Sequence, residues 1–319
     1  MKLTMRPYRD EDDYWAIRQF LRDVYLRNGR TEHSWLPQRL DYWRFFGMPV
    51  LQDGSLETDV FLWETSGGDL ASVLNSESRG YAYLQVDPRF RTAALEEEMV
   101  SVAEARLRTI GSTSGRPVLV ISAQDDDTVR TEILARLGYE CLADSQEIPR
   151  TRDLSLAIPD APVPAGYAIR AMLPTAEDAR RRKEASWRAF HPDEPVDVKF
   201  VASSYHFIEC EPLYRRDLDL VAEAPTGEIA SFATIWYDDA LRVCTFEPVG
   251  TAPEHQKKGL AKAVLAEGMR RAREMGARVA SVGGGGRSNP PADKLYAAMF
   301  GGAGRSTTLW RKYLDGKSA

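Results

Sequence analysis

The most informative stretch of the sequence is a basic turn at the expected start of a helix. Its residues are Gln256, Lys257, Lys258, Gly259, Leu260, Ala261 and Lys262. Backbone N–H groups at a helix N-terminus, together with the positive end of the helix dipole, form a binding site for phosphate groups. In such a site Gly259 would let the backbone approach the phosphate closely, and small Ala261 would not block it. A basic helix cap without a ligand can have the same sequence, so the flanking elements must decide.

A predicted strand precedes this turn and a long amphipathic helix follows it. The apolar periodicity predicts the strand over 242–249 and the helix over 259–275. The first half of the chain has the same order of elements, with a strand over 80–86 and a helix over 93–108. The chain therefore has two copies of one α/β unit.

The predicted boundary between the copies is the segment 158–166, which reads IPDAPVPAG. Its three prolines remove backbone donors and favour an extended path. We predict one domain over 1–158 and a second over 166–319. A length of 319 residues is sufficient for two domains, each with its own core.

A second motif follows the next predicted strand, in the sequence NPPADKLY. It contains Asn289, Ala292, Leu295 and Tyr296. With the Q-x-x-G-x-A turn before it, the second half resembles the GNAT acetyltransferase superfamily, whose members bind acetyl-CoA through a Q/R-x-x-G-x-G/A turn. The usual Gly-Phe pair after the tyrosine is reversed here to Phe300-Gly301. The resemblance implies an α/β fold with a mixed sheet, in two tandem GNAT-like domains.

The resemblance also implies roles for particular residues. The turn from Lys257 to Lys262 would hold the pyrophosphate, and Asn289 would contact CoA. Backbone groups of Val249, Gly250 and Thr251 would bind pantetheine and polarise the thioester carbonyl, which is oxyanion-hole chemistry.

Acetyl transfer to an amine also requires proton transfers, because the attacking amine must be neutral and the leaving thiolate gains a proton. Glu247, in an otherwise apolar strand, is the candidate acceptor of the amine proton. The resemblance makes Tyr296 the candidate donor to the thiolate. A structural ion pair at Glu247 and a packed ring at Tyr296 are the alternatives.

The first half has lost the turn. Alignment of Pro88 with Pro253 places Ala94 at Gly259 and Glu96 at Ala261, within a run of three glutamates. Leu134 then aligns with Tyr296. We expect this half to be a degenerate copy that does not bind acetyl-CoA and is retained for architecture or acceptor binding.

Composition excludes several classes of protein. With 42 Lys and Arg against 47 Asp and Glu, the net charge of -5 argues against a nucleic-acid partner. The sequence has no apolar run of membrane-spanning length, no zinc-binding spacing and three widely separated cysteines. We therefore expect a cytoplasmic protein, monomeric or homodimeric, without a metal or a membrane contact.

The leading hypothesis is an N-acetyltransferase that moves acetyl from acetyl-CoA to a primary amine of a small molecule by direct attack. The alternatives are a protein amine or a longer acyl group, or a non-catalytic acyl-CoA-binding regulator. In the superfamily the first two helices of the active domain line the acceptor side. Here they carry an aromatic group, and aromatic residues at helical spacing more often pack in a core than line a pocket: Trp187, Phe190, His191, Tyr205 and His206.

Overall fold

The structure is a computed structural model that describes residues 2–51, 54–203 and 205–315. The described residues form two compact units. The first unit lies within residues 1–148, 286–289 and 304–319, and the second within 149–285 and 290–303.

Both units contain strands and helices. The strands are β1 Leu3–Pro7, β2 Val60–Thr65, β3 Leu70–Asn75, β4 Tyr81–Val86, β5 Thr109–Ile110, β6 Pro117–Gln124, β7 Glu140–Glu147, β8 Arg150–Asp153, β9 Ala168–Ala171, β10 Asp219–Glu223, β11 Ile229–Asp238, β12 Val243–Thr251, β13 Val279–Val282, β14 Gly302–Ala303 and β15 Thr307–Tyr313. The α-helices are α1 Glu11–Arg27, α2 Pro37–Tyr42, α3 Leu56–Asp59, α4 Ala93–Arg106, α5 Thr128–Arg136, α6 Ala176–Phe190, α7 Val198–Ala202, α8 His206–Glu209, α9 Leu260–Glu274 and α10 Pro290–Met299. A π-helical segment spans Trp43–Leu51, and short 3-10 turns span Arg216–Leu218 and Pro253–His255.

The first unit is built on a mixed sheet in the order β1-β2-β3-β4-β6-β15-β7, with β5 paired to β6. Among the described strands of this sheet, only β4 and β6 pair in parallel, through Tyr81 with Val120 and Ala82 with Ile121. Helix α4 buries Leu95, Met99 and other apolar side chains in the core next to this sheet. A parallel pair needs a long crossover connection, and α4 lies within it.

The second unit has a mixed sheet in the order β14-β8-β13-β12-β11-β10-β9. Its parallel pair is β12 with β13, and α9 lies in the crossover between them. Apolar residues of α9 at helical spacing, including Leu260, Val264 and Met269, are buried in one core with Ile235 and Phe246 of the sheet. The predicted mixed α/β fold is confirmed.

The extents of the two units differ from the predicted domains. Strand β8 begins at Arg150, before the proline-rich segment, and pairs with β13 of the second sheet. Strand β15, the last of the chain, lies between β6 and β7 of the first sheet. Each sheet therefore contains a strand from outside its predicted domain. The composition break marked an extended segment, whereas the strand pairings set the limits of the units.

Candidate functional site

The C-terminal half of β12 leaves its parallel neighbour. The strand pairs with β13 only from Val243 to Thr245, although it continues to Thr251. On its other side, the ladder with β11 continues to the pair Ser231–Thr251. Among the described residues, the β13-facing edge of β12 after Thr245 therefore has no ladder partner. A strand edge outside a ladder can bind an extended ligand through its backbone groups.

The end of β12 is held firmly from the side of β11. The Ser231 hydroxyl donates to the Gly250 carbonyl oxygen at 2.9 Å and lies 2.8 Å from the Thr251 hydroxyl. The Phe232 ring is packed so closely that a Cβ on Gly250 would lie 2.3 Å from its Cζ atom. A glycine is required at this position by the close approach of the Phe232 ring.

The N-terminus of α9 follows directly after this strand and has no side-chain cap. Its N-cap is Gly259, with φ at 87° in the left-handed region that favours glycine. The first intrahelical bond is donated by Ala263 to the Gly259 carbonyl oxygen at 3.1 Å. The N–H groups of Leu260, Ala261 and Lys262 precede that bond and have no acceptor within the helix.

There is space for an anion in front of these groups. A Cβ on Gly259 would meet no atom within 4 Å. Lys257, Lys258 and Lys262 are exposed around the turn, whereas the Leu260 side chain is buried, so that Leu260 contributes only its backbone. Open space, uncapped N–H groups and lysines together fit a pyrophosphate group.

Two side chains that the motif does not contain shape the turn. Lys258 Nζ donates to the Tyr167 hydroxyl at 3.0 Å, and that hydroxyl lies 2.9 Å from His255 Nδ1. Gln256 Nε2 donates to the Thr251 carbonyl oxygen at 3.3 Å. Sequence analysis missed Tyr167 and His255; the only signal was a polar aromatic residue at the start of the second repeat.

The two predicted proton-transfer residues influence each other electrostatically. Burial raises the pKa of the Tyr296 hydroxyl to about 12, and the negative charge of Glu247 adds to this increase. Glu247 is exposed, and Trp236 Nε1 donates to its carbonyl oxygen at 2.5 Å. Because Glu247 is exposed, solvent can hydrate its carboxylate, which allows a charge in this otherwise apolar strand. Tyr296 is buried on α10 with its ring near Phe300.

Comparison with known proteins agrees with this arrangement. Residues 177–301 match the model of the acetyltransferase (GNAT) family. The match covers most of the second half of the chain.

The whole chain has the fold of solved tandem GNAT structures. It is 18% identical to a GCN5-related N-acetyltransferase from Sphaerobacter thermophilus, with a TM-score of 0.67 over 98% of this chain and 95% of that one. A tandem GNAT protein from the clavulanic acid biosynthesis pathway is 17% identical, with a TM-score of 0.63 over 100% of both chains. No curated protein sequence matches the chain. The predicted layout of two tandem GNAT-like domains is confirmed at the level of the fold.

Asn289, the remaining predicted contact to CoA, lies immediately before α10. Asn289 is exposed, and its backbone belongs to the first compact unit. Its contact with CoA stays a prediction.

The corresponding turn of the first unit is closed by its own side chains. Glu96 is fully buried and accepts hydrogen bonds from Arg91 at 2.5 Å and from Arg130 at 2.9 Å. Glu97 and Glu98 have separate partners, Arg136 and Trp63. The three glutamates therefore do not face one site as the sequence suggested, since only Glu96 occupies the turn.

The aromatic group that the sequence places on α6 and around α8 has two parts. Phe190 is exposed, and Trp187 and His191 are partly exposed and stacked at 3.9 Å. Tyr205 is buried and donates to Asp219 at 2.6 Å, whereas His206 is exposed. Core packing therefore explains Tyr205.

Sequence analysis missed a buried polar network behind these helices. Asp219 accepts hydrogen bonds from Tyr205, Tyr214 and Thr234, and Arg182 Nε lies 3.8 Å from its carboxylate. Burial raises the pKa of Asp219, although the charge of Arg182 and these hydrogen bonds oppose the increase.

No helix in the described ranges is both long and apolar enough to cross a membrane. Nor do those ranges contain a cluster of three His, Cys, Asp or Glu residues suited to a metal ion.

Proposed function

We propose that the protein is an N-acetyltransferase that transfers acetyl from acetyl-CoA to a primary amine of a small molecule. The amine attacks the thioester directly in a ternary complex, and acetyl-CoA binds only in the second unit. The match of residues 177–301 to the GNAT family supports the reaction class.

The observation that carries this proposal is the uncapped start of α9 next to the part of β12 that has left its ladder with β13. A diphosphate at the N–H groups of Leu260, Ala261 and Lys262 would gain charge-assisted hydrogen bonds and the favourable helix dipole. From there the pantetheine arm would extend along Val249, Gly250 and Thr251, whose strand edge has no ladder partner after Thr245. The thioester would then lie near Glu247.

The chemistry at the thioester requires a donor for the carbonyl oxygen, which becomes negative as the amine attacks. A backbone N–H on the β12 edge supplies it, and the packing of Phe232 against Gly250 fixes that edge before the substrate arrives. Fixed donors stabilise developing charge without a reorganisation cost, which is the main advantage of a rigid strand over a mobile side chain.

Two side chains, Glu247 on β12 and Tyr296 on α10, carry out the proton transfers. Glu247 accepts the proton of the amine, directly or through water, and its exposure gives water access to it. The Tyr296 hydroxyl, with its pKa raised to about 12, remains protonated at neutral pH and is available to the leaving thiolate. Both groups act on the same substrate from β12 and α10.

The decisive experiment measures thiol release from acetyl-CoA with a panel of small primary amines. Saturable thiol release in the presence of one class of amine, with acetylated product found by mass spectrometry, is the expected result. Tight CoA binding without turnover on any amine would instead assign the protein to acyl-CoA-binding regulators. Turnover on lysine-containing peptides alone would replace the small-molecule acceptor with a protein amine.

A further inference from the structure

A cavity of about 390 Å³ lies in the second unit beside α6, α7 and α8. The N-terminal half of α6 forms one wall, with Thr175, Ala176 and Lys183. Ser203, Tyr205 and other residues after α7 form the opposite wall. Neither the acetyl-CoA turn nor the proton-transfer residues line this cavity, so the mechanism described above leaves it without a role.

The unusual member of the lining is Lys183, which is only 2% exposed. Its Nζ atom donates to the Ser203 carbonyl oxygen at 2.6 Å and to the Ser203 hydroxyl, and lies 4.8 Å from the Phe200 ring centroid. All of these partners are neutral. Among the described residues, no carboxylate forms an ion pair with Lys183, and burial lowers the pKa of the ammonium to about 8.

The other charges around the cavity do not neutralise Lys183. Arg216 lines the cavity and forms an ion pair at 2.7 Å with Glu209, the one acidic residue in the lining. Arg180, also in the lining, is paired with Glu177 and Glu184 of its own helix. The first turn of α6 is capped by Thr175, and its acidic residues Glu177 and Asp178 are paired with arginines.

A buried ammonium without a counter-charge is costly unless an anion joins it. We propose that this cavity binds an oxyanion, a carboxylate or a phosphate, and that the oxyanion belongs to the acceptor amine. The binding site stands on its own geometry, whereas its assignment to the acceptor rests on the acetyltransferase activity proposed above.

The assignment to the acceptor follows from what the cavity wall contacts. Tyr205 of the wall donates to Asp219 at 2.6 Å, and Tyr214 donates to the same carboxylate at 3.1 Å. The Tyr214 ring lies 6.2 Å from the Trp236 ring, whose indole holds the Glu247 carbonyl. A continuous set of contacts thus joins the cavity wall to the backbone of β12 at Glu247, the residue proposed as the base.

The first test measures binding of malonate and of inorganic phosphate by calorimetry to the full chain. Lys183→Gln should weaken at least one of the two by about tenfold or more, since hydrogen bonds to charged groups are worth about 1.5–3 kcal/mol. Lys199→Gln, at an exposed lysine of α7, is the matched control and should bind as the wild type does. Phosphate can also bind at the start of α9, so only the difference between wild type and Lys183→Gln counts.

Lys183→Gln relieves the desolvation cost of a buried charge but weakens the hydrogen bonds to Ser203, so thermal unfolding of each variant must show that it is folded before its anion affinity is compared. Lys183→Arg serves as a second variant, which retains the charge and should retain part of the binding. The two probes distinguish a carboxylate from a phosphate as the preferred group. Equal binding of both anions to wild type and to Lys183→Gln would overturn the proposed site.

Proton uptake gives an independent readout. The titratable and charged groups that line the cavity with Lys183 are Arg180, Tyr205, His206, Glu209 and Arg216. An anion stabilises the ammonium form, so binding must raise the pKa of Lys183 from about 8 and take up protons near pH 8. Anion binding at pH 8 without proton uptake, or with the same uptake in Lys183→Gln, would contradict the role of Lys183.

The second test connects the site to the acceptor. Matched primary amines with and without a carboxylate or phosphate are compared by kcat/KM for thiol release. We expect wild type to prefer the anionic amines and Lys183→Gln to lose about tenfold or more of that preference through KM, while Lys199→Gln keeps it. Anion binding that does not compete with the amine would remove the assignment to the acceptor. Turnover without any anion binding would reject the cavity proposal and leave the acetyltransferase intact.

Discussion

Helices α4 and α9 begin at matching points of the two units. The unpaired N–H groups of the first turn are capped by a side chain in α4 and are left uncapped in α9. Both helices lie after a strand that leaves its parallel neighbour early, β4 from β6 and β12 from β13. At α4 the Thr92 hydroxyl caps the helix by accepting from the Leu95 N–H at 3.2 Å. At α9 the cap is Gly259, which has no side chain to offer.

The second difference is the charge in the first turn. Glu96 of α4 is buried between Arg91 and Arg130, whereas small Ala261 occupies the aligned position of α9. The first unit thus contains its own anion where the second has open space and lysines. One fold therefore gives a self-neutralised helix start in one copy and an open, uncapped start, the proposed ligand site, in the other, through changes at a few positions.

The largest effect should come from a charge placed in the open site of α9. Asn and Asp both tolerate the left-handed conformation and can both cap a helix, so Gly259→Asn and Gly259→Asp differ only in charge. We expect Gly259→Asp to bind CoA about a hundredfold or more weaker than Gly259→Asn in calorimetry, because the carboxylate repels the diphosphate. Wild type should bind one CoA per chain.

The matched variant in the first unit is Ala94→Asp, at the exposed residue aligned with Gly259. It should leave CoA affinity unchanged. A second CoA site in wild type, or a loss of affinity in Ala94→Asp, would show that the first unit also binds the cofactor and would break the comparison.

The next effect concerns stability rather than binding. Glu96→Gln removes the negative charge shared by Arg91 and Arg130 and should lower the free energy of unfolding by about 3 kcal/mol, as expected for one partner lost from a buried pair. Denaturant unfolding measures it. Glu97→Gln is the control, because Glu97 and Arg136 form an exposed pair worth about 1 kcal/mol or less. Equal destabilisation by the two variants would show that the buried ion pairs of Glu96 contribute no more to stability than the exposed pair of Glu97.

The pH dependence of stability sharpens the same point. Burial alone would raise the pKa of Glu96, but the charge of Arg130 and the hydrogen bonds from both arginines lower it below its usual value. As the pH falls, the unfolded chain therefore binds this proton first. The contribution of Glu96 is complete above about pH 5 and is lost below it, so the gap between wild type and Glu96→Gln should narrow in acid.

A third prediction separates chemistry from packing at Tyr296, which aligns with Leu134 in the first unit. Tyr296→Phe keeps the buried ring and removes the hydroxyl. We expect kcat to fall roughly ten- to a thousandfold with little change in CoA affinity, as for loss of a general acid. Unchanged kcat across the pH range would reduce Tyr296 to a packing residue, equivalent to the leucine of the first unit.

The sequence was sufficient for the local parts of this comparison. The strand, turn and helix around Gly259, and the loss of the glycine at Ala94, follow from periodicity and residue type within short windows. The ion pair of Glu96 with Arg130 joins residues on different helices, so no local pattern could show it. For the same reason the sequence predicted neither the Tyr167–His255 contact nor the network around Asp219.

Strand membership was the other feature beyond the sequence. Short strands such as β8 and β15 have no signal that tells one sheet from another, because the two sheets are copies of one pattern. Pairing with β13 or with β6 and β7 is a choice between similar edges, which only the complete set of contacts decides. The proline-rich segment indicated a break in regular structure but not the boundary of a unit.

The smallest expected effect, and the one most dependent on conditions, is at Glu247. Glu247 lies two residues after Thr245, the last residue of β12 that pairs with β13. In the first unit, the residue two positions after the last β4–β6 pair is Leu84, so no base is present there. Glu247→Gln should lower kcat/KM about tenfold near pH 7, since general base catalysis contributes most where a primary amine of pKa about 10 is almost fully protonated. Toward pH 10 the amine supplies its own neutral form and the gap should close. Glu274→Gln, an exposed acid on α9, controls for the change in net charge. A gap that is constant with pH would instead make Glu247 an electrostatic or structural residue, acting on the pKa of Tyr296 and not on the amine.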